Sequence, residues 1–264
     1  IIGRHRHGLA VGRGDIAAGA DEGRLALPPD NQFHQIILSG AYQLSQRTQA
    51  SADLAVGRMD QDEKFLPATV NSTLVVGPLP RSSADAEVDT LTANFRLVSA
   101  ITDKLRLNGA FTYNDRDNDT PQSTYDWVTT DSFVAAPRTN QPYSFTQSEL
   151  TLSGDYRIDN STKVSAGFDH DRHERTRQEV NTTRENTVWG KISKRARENL
   201  DLSVKFAHAE RNNSPYKAAP DVDPPQNPLM RKYNLADRTR NSAEFHASVT
   251  PHERVNLGFA VDFA

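Results

Sequence analysis

The chain has 264 residues, of which 36% are hydrophobic and 25% charged, with a net charge of −3 and no cysteine. That near balance lacks the basic excess of a nucleic-acid binder, and without cysteine the chain holds no disulfide, c-type haem attachment or cysteine-held metal cluster of its own. No window approaches the roughly 18–20 consecutive apolar residues of a membrane-spanning helix, a test that alternating barrel strands escape.

The chain opens at Ile1 without Met, and an internal fragment of a longer protein is expected. Residues 1–24 are rich in Gly, Arg and His and lack steady periodicity. His5 and His7 as metal ligands, or Arg13-Gly14-Asp15 as an adhesion tripeptide, are weaker readings there than an irregular lead-in.

Period-two alternation begins at Gln35. Ile36, Leu38, Gly40, Tyr42 and Leu44 share one parity, a turn at Ser45–Thr48 follows, and Ala50, Ala52, Leu54 and Val56 continue the apolar side. The same hairpin recurs four times. Leu91–Leu97 pairs with Leu105–Tyr113 around Thr102-Asp103-Lys104, and Leu150–Tyr156 with Val164–His170 around Asp159–Thr162. Val188–Ile192 then pairs with Leu200–His208, and Ala243–Val249 with Val255–Phe263. Tight turns alternate with longer segments near 60–88, 117–145, 175–185 and 212–238, the asymmetry of outer-membrane barrels. The expected fold is an all-β, antiparallel, up-and-down transmembrane β-barrel, of which this chain supplies about ten strands.

Charge supports that reading. No residue of the apolar parity in these stretches is Asp, Glu, Lys or Arg. The opposite parity carries Asp53, Arg96, Arg106, Arg116, Glu149, Asp155, Arg157 and Lys163, and further on Asp169, Asp171, Lys191, Asp201, Lys205, Arg211, Glu244 and Asp262. A basic residue facing lipid at mid-bilayer costs about 2–4 kcal/mol, so a lipid face is purged of charge. A sandwich core is purged too, but stretches of about ten residues suit a tilted bilayer crossing better than a soluble sheet. Tyr42, Tyr113 and Tyr156 end their stripes where an aromatic girdle belongs, and His170 and His208 end theirs as neutral interface residues. The charges of the other face, evenly divided in sign, argue against a strongly ion-selective pore and suit a wall that meets water or a polar partner. Trp189 lies on that face without an evident role.

Chemistry-bearing motifs are scarce. Asp115, Asp117, Asp119 and Asp126 imitate an EF-hand spacing, but Thr120 replaces the turn glycine, and a solvated loop is expected instead of a calcium site. Neither H-E-x-x-H nor G-x-S-x-G occurs, and no enzyme is expected.

Four separated segments carry a family resemblance: LALPPDNQFHQ at 25–35, GRMDQDEKFLP at 57–67, TRENTVWG at 183–190 and NPLMRKYNLADRTR at 227–240. In this order they resemble the MtrB/PioB family of decahaem-associated outer-membrane proteins, over roughly Gly23–Ala264. The resemblance implies a barrel segment at 25–264 in the bacterial outer membrane, contacting lipid and sheathing a periplasmic multihaem c-type cytochrome in its lumen. An external multihaem cytochrome often docks on the loop side in that family. Haem would belong to the partner and none to this chain, and the charged residues named above would face the lumen. Two other functions are kept open: a general or solute-specific diffusion porin, and a soluble all-β binding module.

Overall fold

The computed structural model describes residues 28–129, 133–218, 226–227, 229–252 and 255–264. The expected lead-in at 1–24, with His5, His7 and Arg13–Asp15, lies outside the described residues. Among the described residues twelve strands form. They are β1 (Gln32–Ser45), β2 (Thr48–Gln61), β3 (Ala86–Ala100), β4 (Leu105–Asn118), β5 (Thr124–Thr129) and β6 (Phe133–Thr139), then β7 (Phe145–Arg157), β8 (Thr162–Arg175), β9 (Thr182–Arg197), β10 (Leu200–Asn213), β11 (Arg238–His252) and β12 (Val255–Phe263). Ten make one antiparallel sheet in the order β1-β2-β3-β4-β7-β8-β9-β10-β11-β12, not closed on itself, while β5 and β6 pair separately. This is the expected up-and-down order.

Two expectations need correction. The segment 117–145 is not a plain loop, because β5 and β6 form a hairpin within it. Thr, Tyr, Trp, Val and Phe favour that pairing, and the Arg138 guanidinium lies 3.2 Å from the centre of the Trp127 ring. The calcium-like spacing is likewise not a loop, since Asp115 and Asp117 belong to β4. Asp115 accepts from the Thr146 hydroxyl (2.6 Å), Asp117 from the Ser144 hydroxyl (3.1 Å), and Asp126 from the Gly77 amide (2.7 Å), so separate donors hold the three carboxylates.

The described residues form two compact units. The first takes in 28–36, Val56–Thr90 and Arg116–Ser144, the second Ile37–Ala55, Leu91–Asp115 and Phe145–Ala264. Within the first, Phe65 meets Tyr125 edge-on at 5.6 Å, and the Phe33 ring occupies the space that a side chain on Gly57 would fill. The second contains the well-registered array β7–β12. Its turns are locally encoded: Asp159 Oδ1 accepts from the Ser161 amide (2.7 Å) and hydroxyl (2.8 Å) and from the Thr162 amide (2.8 Å), an Asx arrangement that ends β7 and starts β8.

Registers place the apolar parity of β7–β12 on one face in continuous rows. Tyr156, Val164, Ile192, Val204, Phe245 and Val261 are successive cross-strand partners, and so are Leu152, Phe168 and Val188. Among the described residues no second layer covers them. Val188 is 60% exposed, Ile192 56%, Phe206 64% and Phe259 59%, whereas the hydrophobic residues described as buried are only Val88, Val180, Ala209 and Leu235. An apolar face this extensive belongs against lipid, because a soluble monomer rarely exposes more than a few hundred Å² of contiguous apolar surface. The soluble-module reading fails on that point.

The strands of the main sheet, mostly 13–16 residues, exceed the expected ten or so. Their extra residues are polar on both faces, as with Arg172, Glu174, Arg184 and Glu210 on the otherwise apolar parity. At the loop-side border of the apolar rows, His170 Nδ1 lies 2.6 Å from Asn186 Oδ1, and His208 Nδ1 lies 2.7 Å from Asn241 Oδ1. Both are direct cross-strand partners, so each Nδ1 is satisfied across the ladder where hydrocarbon gives way to head groups, while His208 Nε2 lies 3.3 Å from the Glu210 carboxylate on the head-group side.

Val204→Arg, at the middle of the apolar face, should lower folding stability in lipid vesicles by about 2–4 kcal/mol. Ser203→Arg, one residue away on the polar face, should leave the denaturant midpoint nearly unchanged. Equal losses for both would contradict the lipid-facing assignment.

Candidate functional site

The opposite face of β7–β12 is polar, and the same registers order its charges. Glu149, Asp171 and Glu185 are successive cross-strand partners on β7, β8 and β9, with Asp169 one row nearer the turns. The row continues into Arg211 on β10 and Arg238 on β11, and Arg240 stands opposite Ala209. Near the turns the signs exchange. Arg157 faces Lys163, Lys191 faces Ser165, and Arg195 faces Asp201, while Glu244 of β11 stands between Lys205 and Asp262.

The face is therefore divided into four fields. The loop-side field of β7–β9 is acidic with Arg175 at its rim, and the loop-side field of β10–β11 is basic. The turn-side field of β7–β9 is basic apart from Asp155, and that of β10–β12 is acidic apart from Lys205. An uncharged row, Ser153, Gly167, Trp189, Ala207 and Ser242, separates loop-side from turn-side fields.

Internal pairing neutralises part of this. Glu185 takes Arg211 Nε at 2.6 Å and Arg238 Nη2 at 3.1 Å, Lys163 reaches Asp155 at 3.2 Å, Arg195 reaches Asp201 at 3.4 Å, and Lys205 reaches Glu244 at 3.4 Å. Gln147 Nε2 donates to both Glu149 (2.8 Å) and Asp171 (2.9 Å), and the Trp189 indole N–H donates to Asp169 (2.9 Å). These contacts bring donors but no counter-charge. Among the described residues, Glu149, Asp169, Asp171, Arg157, Lys191, Arg240 and Asp262 have no ion-pair partner, and what remains unneutralised keeps the four-field pattern.

Trp189, which sequence reasoning left without a role, has one here. Its indole packs against Gly167 on the neighbouring strand, where a Cβ would come within 2.4 Å of the ring, and Lys205 Nζ is 5.7 Å from the ring centre. A glycine is required opposite this tryptophan.

At the loop end, a cap closes over the polar face. Arg211 Nη1 donates to the Asn234 carbonyl (3.0 Å), which draws the short 3-10 turn Tyr233–Leu235 over that face and buries Leu235. Asn234, Glu149, Asp169, Asp171 and Glu185 help to line a concavity of ≈ 570 Å³ beneath it. Glu179, 4% exposed, secures the cap: its carboxylate takes Lys232 Nζ (2.5 Å) and Gln226 Nε2 (2.7 Å), and its carbonyl takes the Lys217 amide (2.8 Å). Burial alone would raise its pKa. The Lys232 ammonium, a backbone amide and Gln226 outweigh that and hold the carboxyl below its usual value.

Of the residues singled out in the sequence, the structure brings Glu149, Asp155, Arg157, Lys163, Asp169, Lys191, Asp201, Lys205 and Glu244 together on the polar face of β7–β11. Asp53, Arg96 and Arg106 are exposed on β2, β3 and β4 and form no ion pair with described residues. Glu185, Arg195, Arg238 and Arg240 were missed because they lie beyond the apolar stripes that signal a strand. In the other unit Glu87, Asp89 and Asp119 gather their carboxylates, but Arg58 already pairs with Glu87 and lies 4.0 Å from Asp89.

A two-faced antiparallel sheet of long strands, apolar and uncovered on one side and charged on the other, defines a segment of an outer-membrane β-barrel. The family model for the outer membrane beta-barrel porin MtrB/PioB matches residues 10–264, and the chain belongs to this family. It is 35% identical over 242 residues to the outer membrane protein MtrB of Shewanella baltica, a match covering 92% of this chain and 34% of that protein. The chain thus spans about a third of the curated relative's length. Among solved structures, the ferric enterobactin receptor PfeA of Pseudomonas aeruginosa aligns with a TM-score of 0.50 at 9% identity, over 88% of this chain and 36% of that one. The NalP translocator domain of Neisseria meningitidis aligns with a TM-score of 0.37 at 16% identity, over 88% of this chain and 73% of that one. The protein resides in the bacterial outer membrane.

Gly167→Ala should displace the Trp189 indole and destabilise the barrel by about 1–3 kcal/mol. The emission lost on Trp189→Phe isolates the Trp189 contribution, which should shift when Gly167→Ala is present; an unchanged contribution would rule the packing out.

Because the Glu179 carboxyl is held low, its contribution to the cap is fully present above the ordinary carboxylate range and lost as pH falls through the lowered value. Amide-exchange protection of Lys217 should fall on acidification, and Glu179→Gln should flatten that dependence.

Proposed function

We propose that the chain forms part of the wall of an outer-membrane barrel that sheathes a multihaem c-type cytochrome, so that electrons cross the membrane through the partner's haems. The observation that carries this reading is the uncompensated, ordered charge of the face opposite the lipid side, which becomes the lumen wall once the barrel closes. A cytochrome crossing a bilayer unaided would expose charged surface to hydrocarbon at a cost of several kcal/mol per group. A closed barrel satisfies its own backbone, presents apolar side chains to lipid and offers a polar bed inside. The wall's function is insulation and positioning, not catalysis, and with no cysteine the chain attaches no c-type haem.

Purification of the full-length protein from native outer membranes in mild detergent should yield a complex containing c-type haem. Reconstituted in liposomes, that complex should reduce an enclosed acceptor when an external donor is added. A haem-free protein that conducts ions and solutes in planar bilayers would establish a diffusion porin instead.

A further inference from the structure

The four charge fields carry an inference about what the lumen accepts and in which pose, and it rests on the reading that the lumen holds a protein. We propose that the polar face of β7–β12 is an orientation key for one inserted folded protein. That protein presents basic side chains to the loop-side half of β7–β9 and acidic side chains to the turn-side half of the same strands, with the reverse signs towards β10–β12.

Three observations converge. The fields alternate along the strands and across them, so a complementary guest is fixed in rotation as well as in depth. Rotating it by two strands, or sliding it by half a strand length, sets like charge against like. The charges left unpaired by the wall follow the same pattern: Glu149, Asp169 and Asp171 in one field, Arg157 and Lys191 in its axial neighbour, Arg240 beside the first. Finally, the belt between the fields has no charge, and Trp189 is held against Gly167 there. It offers an uncharged contact where the guest's own surface changes sign. Bulk ions would feel only the near-zero sum of such a wall, whereas a protein of fixed shape feels each field separately.

The test separates patterned charge from net charge. In the full-length protein, Glu149→Lys with Asp171→Lys changes the wall charge by about +4, Arg157→Glu with Lys191→Glu changes it by about −4, and the four together leave it unchanged. The readout is retention of the multihaem c-type cytochrome that co-purifies with the wild-type barrel, measured as haem per folded barrel across a salt series, with folding checked by heat-modifiable gel mobility. All three variants should lose at least tenfold in retention at low salt, the combined one included. Opposite effects of the two pairs, or wild-type retention by the combined variant, would overturn the key. If a reversal does not fold, the neutral pairs Glu149→Gln with Asp171→Asn and Arg157→Gln with Lys191→Gln decide by the same criterion: loss in both supports the key, and opposite changes overturn it. Absence of haem protein from the wild-type barrel is a different result, which removes the sheath reading itself.

Discussion

The constraint on which everything else depends is that a backbone in hydrocarbon has no water to bond, so every amide and carbonyl within the membrane must find its partner in the chain. Long antiparallel ladders meet that demand. Once they form, side chains alternate strictly between two faces, and each face answers to a different solvent. The apolar rows from Tyr156 to Val261 and the charged rows from Glu149 to Arg238 are two outcomes of the same ladders, offset by one residue. Even the His170–Asn186 and His208–Asn241 pairs obey it, bonding polar atoms across the ladder where the surrounding medium changes.

Much of the architecture was legible in the sequence because hydrocarbon enforces a binary code. Leu150, Leu152, Gly154 and Tyr156 against Glu149, Thr151, Ser153 and Asp155 is readable by parity alone, and so were the tight turn at Asp159–Thr162 and the order of the ladders. The code falls silent where the membrane ends. Beyond His170 and before Val188 both faces are polar, so nothing marked Arg172–Arg175 or Thr182–Thr187 as strand, and Glu185 went unseen with them. The hairpin of β5 and β6 was hidden for a related reason: Trp127 and Arg138 stabilise it by stacking, without a lipid stripe to announce it.

The polar face was legible as a list and not as a pattern. Parity identifies its residues, and counting them gives an even division of sign. Only register shows that Glu149, Asp171 and Glu185 stand side by side, that Arg157 and Lys163 gather at the other end, and that an uncharged row lies between. Like charges on adjacent strands work against stability. Gln147, spanning two carboxylates, and Arg211 with Arg238, converging on Glu185, hold that strain without abolishing it. Trp189 illustrates the same limit, since its partner Gly167 is 22 residues away in sequence and directly opposite in space.

The two His–Asn pairs also act as a level drawn across the sheet. Register carries His170 and Asn186 onto Glu210 of β10, yet the second pair uses His208, two residues nearer the turns. The border of the apolar face therefore drops by about 6.6 Å over two strand spacings of about 4.8 Å each. If that border follows the flat plane of the lipid head groups, the strands lean by roughly 35°, within the range that barrel closure demands. On the turn side the apolar rows shift in the same sense, ending at Val164 and Ile192 on β8 and β9 but reaching Leu200 and Val249 on β10 and β11. Two histidines and two asparagines thus record the slant at which this wall stands in its membrane.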